Sequence, residues 1–177
     1  MIRLFLAFCS LLPIRANHSF GAFLGMLLFT FNSDTKNASK QNLKICFRNL
    51  SQGELRTLLK RVLIETGKSL TESGLIWNQS FKENAKLIRN IHGENYLESP
   101  KKTILLVPHL GCWEITGRVI AEKRKITFMY RPLRSSKQNE YLFARRNQGN
   151  LTMASAVSYT HLRAHETRED LVCRVLR

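Results

Sequence analysis

Residues 103–114 read Thr-Ile-Leu-Leu-Val-Pro-His-Leu-Gly-Cys-Trp-Glu. The uncharged run Thr103–Val107 has the pattern of a short strand buried on both faces, because a strand covered on one side alternates apolar and polar residues. Pro108 and Gly111 break the run, and helix-like residues continue from Trp113 to about Arg124. A second apolar run, Ile126–Tyr130, follows. The turn Arg131-Pro132-Leu133-Arg134 then leads into another helical segment, Ser135 to about Gln148. Strand, turn, helix, strand, turn, helix predicts an α/β unit containing a parallel pair of strands.

In such units ligands bind beyond the carboxyl ends of the strands, the edge at which His109 falls. On one continuous helix His109 and Glu114 would lie about 140° apart. They can act together only if Gly111 separates a strand-end His from a Glu in the first helical turn. There the carboxylate can hold one imidazole nitrogen while the other takes a proton from a hydroxyl. The same two residues also fit a purely structural role, a His closing a strand and a Glu beside the positive helix terminus. Trp113 is expected to pack the helix against the sheet.

Upstream, Leu55, Leu58, Leu59, Val62 and Leu63 recur at three- and four-residue steps between Ser51 and Trp77, which predicts an amphipathic helix. Ser51 and Glu54 form a capping box at its start. Ser80 and Glu83 repeat the device, predicting a second helix through Ile88 and Ile91 to His92-Gly93.

Further upstream, Leu4–Phe31 is almost uncharged, but Pro13 and Arg15 split it into two apolar runs. Each is shorter than the roughly 20 residues of a simple bilayer span. Residues 1–32 are therefore expected to form a membrane anchor, either a tilted, broken span or an interfacial hairpin. A signal peptide and a buried core helix are the competing readings.

The whole chain has 177 residues, 44% hydrophobic, with 28 Lys+Arg against 13 Asp+Glu and a formal charge of +15. This much apolar surface excludes wholesale disorder, and the charge predicts an anionic partner. Beside an anchor, anionic lipid headgroups are the natural one. Nucleic acid is disfavoured: the chain has no RNA-recognition signature, no zinc-finger spacing and no basic helix with interleaved aromatics. Four dispersed cysteines, Cys9, Cys46, Cys112 and Cys173, suit a reduced, cytosol-facing setting.

Taken together, Pro108–Gly117 (PHLGCWEITG) and Met129–Ala154 (MYRPLRSSKQNEYLFARRNQGNLTMA) resemble the lipid A biosynthesis late acyltransferases, the lauroyl/myristoyl type of Gram-negative bacteria. Lys44–Ser51 (KICFRNLS) and the apolar start are similar to the amino-terminal half of that family, so the resemblance runs from Met1 to about Ser155. It implies the amino-terminal part, residues 33–156, of a glycerolipid-acyltransferase-like α/β domain, incomplete as it stands. The implied reaction moves a fatty acyl chain from acyl carrier protein, or a related thioester, to a hydroxyl of a phosphorylated glycolipid acceptor. It takes place at the cytoplasmic face of the bacterial inner membrane, and no metal or cofactor is implied. By motif, His109 is the general base and Glu114 its partner. Arg131 and Arg146 match basic positions that would bind substrate phosphate or the developing oxyanion. A solvated helix face is the alternative for Arg145 and Arg146. A non-enzymatic anchored module binding anionic lipid is the alternative for the whole chain.

One position departs from the pattern: Cys112 stands where the family commonly has Asn. A thiol near a helix start and a His raises the alternative of a Cys/His hydrolase. The tail departs altogether. From Val157 the chain reads VSYTHLRAHET and, three residues on, LVCR, which looks like translated sequencing adapter. His161, His165, Glu166 and Cys173 are accordingly not read as a zinc site. Since chains of the family run about twice as long, the polypeptide as written is expected to be inactive and aggregation-prone, with open sheet edges.

Overall fold

The computed structural model describes residues 2–98, 101–133 and 135–155. The adapter-like segment from Val157 lies outside the described residues. The chain divides into two units, Met1–His92 with Lys101–Thr116 and Gly93–Pro100 with Gly117–Arg177.

In the first unit the longest element is α4 (Gln52–Asn78), preceded by α1 (Ile2–Leu11), α2 (Ile14–Thr30) and α3 (Asp34–Cys46). The predicted capping box is present: Ser51 Oγ accepts from the Glu54 amide at 3.3 Å, and the Glu54 carboxylate accepts from the Ser51 amide at 2.8 Å. Leu55, Leu59 and Leu63 form the buried stripe of α4, as the spacing requires. Beyond Leu63 the same face changes to Gly67, Thr71 and Gly74. Here the helices approach backbone to backbone. A Cβ on Gly67 would stand 2.1 Å from the Gly21 carbonyl oxygen of α2, and one on Gly25 would stand 2.3 Å from the Leu63 oxygen. At Gly74 the partner is α1, with the Leu6 oxygen 2.6 Å from a built Cβ.

Buried Asn17 ties the three helices together: its Nδ2 donates to the Cys9 carbonyl of α1 at 2.9 Å and to the Thr71 carbonyl of α4 at 3.1 Å. The apolar amino-terminal segment is thus two helices meeting at Pro13 and seated on α4. Among the described residues no helix is long and apolar enough to cross a membrane, so the spanning form of the anchor is not found. The outward faces nevertheless keep Leu4, Phe8, Leu11, Phe23 and Phe31 exposed.

A second capping box, at Ser80 and Glu83, starts α5 (Phe81–Ala85), but the helix is much shorter than the expected run to His92. From Lys86 to Ile88 the amides bond three residues back instead of four, which tightens and ends the helix. Asn84, buried mid-helix, donates to the Ile76 carbonyl at 3.1 Å. Periodic apolar residues alone did not reveal that stop.

The second unit contains α6 from Gly117 on (whole helix Trp113–Lys123), β1 (Ile126–Tyr130), α7 (Ser136–Arg146) and β2 (Leu151–Ser155). The parallel pair is real, but its members are β1 and β2, with Ile126 opposite Leu151 and Phe128 opposite Met153. The expected strand Thr103–Val107 does not form: the segment carries no strand bonds, and Ile104 and Leu106 are each 90% exposed. The observed fold is therefore mostly helical with a small two-stranded parallel sheet, not the broader α/β unit expected. A continuous apolar run says that a segment seeks burial; a strand also needs a neighbour for its N–H and C=O groups. Strand β2 was missed because Leu151–Ser155 is short and mixed in polarity. Its Leu151 and Met153 are buried with Ala121, against Ile126, Phe128, Tyr130 and Phe143.

Candidate active site

His109 lies at the centre of a tight turn in which the Leu110 amide donates to the Pro108 carbonyl at 2.9 Å, a γ-turn that pushes the intervening side chain outward. Gly111 follows with φ +55°, a left-handed conformation that L side chains avoid, and redirects the chain into α6. The expected break between the His and the helix is thus present, made from a loop and not from a strand end. His109 is exposed, and its ring packs on Trp113 with centroids 4.3 Å apart and planes tilted by 51°. Trp113, expected to pack the helix against the sheet, makes this ring contact with His109.

Glu114 stands in the first turn of α6, partly buried, where the unpaired helix amides favour its negative charge. Its Oε2 accepts from the Trp77 indole N–H at 3.0 Å. His109 and Glu114 are thus in one unit and adjacent turns, but no hydrogen bond joins them among the described residues. Trp77 was not singled out from the sequence, because a partner 37 residues away leaves no local signal.

Cys112 lies between these residues and α4. Burial pushes its thiol up to about 12, reinforced by the charge of the Glu72 carboxylate and a hydrogen bond to it, and further by the charge of Glu114. Burial and the two carboxylates thus disfavour the thiolate, which counts against the Cys/His hydrolase alternative. Glu72 also contacts Nε2 of His18 on α2. Two residues of α4 thus hold the loop and helix start, Glu72 through Cys112 and Trp77 through Glu114.

Arg131 and Arg146 belong to the second unit. Arg131 is exposed in the turn after β1. Arg146 lies in the last turn of α7 beside Arg145, where cations suit the negative helix end. Arg145 covers the Tyr141 ring at 5.4 Å. Among the described residues no group of three or more His, Cys, Asp or Glu could hold a metal ion. His161, His165, Glu166 and Cys173 lie outside them.

The site thus offers an exposed imidazole in a tight turn and, in the first turn of the helix that follows, a carboxylate that accepts from an indole N–H. Residues 2–166 match the family model described as bacterial lipid A biosynthesis acyltransferase. The match covers all the elements above together with His109, Cys112, Glu114, Arg131 and Arg146, and extends past Ser155, where the resemblance was expected to end, to residue 166. No curated protein and no solved structure shows a significant match to the chain.

Proposed function

On the premise that the chain belongs to the bacterial lipid A biosynthesis acyltransferase family, we propose that its His109 is the general base for acyl transfer from acyl carrier protein to a hydroxyl of a lipid A precursor. His109 removes the hydroxyl proton as the oxygen attacks the thioester carbonyl. The tetrahedral intermediate expels the thiolate, which takes the proton from the imidazolium. Glu114 stabilises that cation; hydrogen bonds that are long or absent without substrate commonly form when it binds. Arg131 and Arg146 bind acceptor phosphate or the developing oxyanion. The formal charge of +15 suits an acidic carrier protein, a phosphorylated glycolipid and anionic lipid of the bacterial inner membrane, on whose cytoplasmic face the enzyme works. The apolar hairpin of α1 and α2 is its interfacial anchor.

The observation that carries this reading is the exposed His109 turn followed directly by the helix that bears Glu114, within the segment matched to the family. The 177-residue chain alone is proposed to be inactive, since Ile104–Leu106 remains an exposed apolar run without a ladder. The test is acyl transfer by an uninterrupted reading frame carrying these residues. His109→Ala is expected to lower the rate by about 10²- to 10⁴-fold with the fold intact. Full activity of that variant removes the catalytic role of His109 but not the acyltransferase reading; no acyl transfer by the unsubstituted protein leaves a lipid-binding module. Turnover by the 177-residue chain refutes its inactivity.

A further inference from the structure

A cavity of about 720 Å³ lies where the C-terminal end of α2, α3 and the first turns of α4 converge, lined by Phe29, Lys36, Lys40, Gln52, Arg56 and neighbouring residues. No carboxylate lines it. Glu54, on the adjoining turn, has its carboxylate engaged by Ser51, which leaves the three cations without an acidic partner in the lining. Two of them converge on one ring: Lys36 Nζ stands 5.4 Å and the Arg56 guanidinium 5.7 Å from the Phe29 centroid. Lys36 is held there by donating to the Phe29 carbonyl at 2.6 Å, with ammonium hydrogens to spare. Like charges gathered around one aromatic ring repel, and a bound anion relieves that repulsion.

A second cavity, of about 480 Å³ and almost wholly apolar, adjoins the same α2–α3 joint and is lined by Phe5, Leu24, Leu27, Leu28 and Phe31. Phe29 and Thr30 thus face the cationic cavity, while Leu27, Leu28 and Phe31 face the apolar one. From Ile2 to Phe31 the only charged side chains are Arg3 and Arg15, and apolar side chains of this hairpin stand exposed. Asp34 starts α3 beside this joint but lines neither cavity; cavities lined by cations and bare phenylalanines, without a carboxylate among the lining residues, match an anionic amphiphile better than a soluble anion.

We propose that this joint is a binding site for an anionic lipid: Lys36, Lys40 and Arg56 take the headgroup phosphate, and the apolar cavity takes part of the adjoining acyl chain. The proposal deepens the interfacial reading of α1 and α2 and rests on it. It locates lipid recognition at a defined pocket instead of in the overall charge.

The test is flotation of the 177-residue chain with vesicles of phosphatidylcholine alone or mixed with phosphatidylglycerol. Lys40→Gln with Arg56→Gln is compared with Lys60→Gln with Arg61→Gln, which removes the same charge from exposed positions of α4 outside the cavity. The wild-type chain is expected to float with the phosphatidylglycerol vesicles. The first pair should weaken that binding roughly tenfold and the second only slightly. Equal losses from both pairs, or none from the first, overturn the pocket while leaving the interfacial reading intact. Failure of the wild-type chain to float overturns both. Retained vesicle binding by the first pair, together with lost binding of inorganic phosphate or of an acidic carrier protein, reassigns the cavity to that ligand.

Discussion

Gly67 of α4 rests against backbone atoms of α2, with the Gly21 oxygen 2.1 Å from where a Cβ would be, whereas Gly117 of α6 meets the edge of the Phe128 ring, 3.0 Å from the same built atom. Two helix surfaces with glycines thus solve different packing problems. In the first unit one main chain fits against another, and neither can move without shifting a helix. In the second a helix sits on a strand through a side chain that can swing. The first arrangement fixes register, and the second tolerates change.

The largest expected effect breaks this contrast directly. Gly67→Ala should destabilise the first unit by about 3 kcal/mol or more through overpacking, despite roughly 1 kcal/mol gained in helix propensity. Gly117→Ala should lose less than about 1 kcal/mol once the Phe128 ring adjusts, since the propensity gain offsets part of a mild clash. Denaturant unfolding followed by circular dichroism compares them, and equal losses would mean that the α2–α4 contact is softer than described. Next in size, Leu63→Ala should cost about 3 kcal/mol, because Leu63 is fully enclosed at 0% exposure. Met153→Ala, in the smaller β1–β2 core at 8% exposure, should cost about 2 kcal/mol. A reversed order in the same unfolding series would show that the second unit holds the firmer core.

A chemical probe reads how firmly the His109 loop is seated on the helical unit. With its thiol near 12, Cys112 should alkylate with iodoacetamide at pH 8 at least about a hundredfold more slowly than exposed Cys46. Glu72→Gln removes the carboxylate that helps to hold that proton and should narrow the gap; peptide mapping by mass spectrometry measures both rates. The smallest effect is acid sensitivity. Glu54 and Glu83 have carboxyl groups held below their ordinary 4.5 by the Ser51 and Ser80 caps. A group depressed in the folded state contributes stability that is complete above its unfolded value and is lost as pH falls through the folded one. The starts of α4 and α5 should therefore fray below about pH 4, while α7, whose Ser135 makes no side-chain cap, should show no such step. Residue-resolved amide exchange across that range distinguishes the three helices.

What was legible in the sequence follows from how far each signal reaches. Both capping boxes, the Leu55–Leu63 stripe, the Ile126–Tyr130 strand and the Gly111 break depend on neighbours within a few residues, and each is present. Thr103–Val107 misled because an apolar run records a tendency to bury but not the presence of a pairing strand. β2 was overlooked for the opposite reason, since its buried Leu151 and Met153 alternate with less apolar residues. Trp77 and Glu72 were invisible as site residues: their positions depend on how α4 meets the loop before α6, a distance in sequence that no local pattern spans. Likewise, the apolar runs of the hairpin pointed to an anchor by hydropathy, while the packing role of Gly21 and Gly25 emerged only with α4 in place.

The Gly21–Gly25–Gly67 contact has a thermal consequence. Main-chain atoms touching main-chain atoms freeze no rotamers, so this grip forgoes the entropy loss that long side chains bring to a core. Its attraction is largely dispersion between close-packed atoms, not the release of water from large apolar surfaces. Cooling weakens water-driven burial, so a chilled molecule should loosen first around Phe128, Leu151 and Met153, while α2 remains clasped to α4.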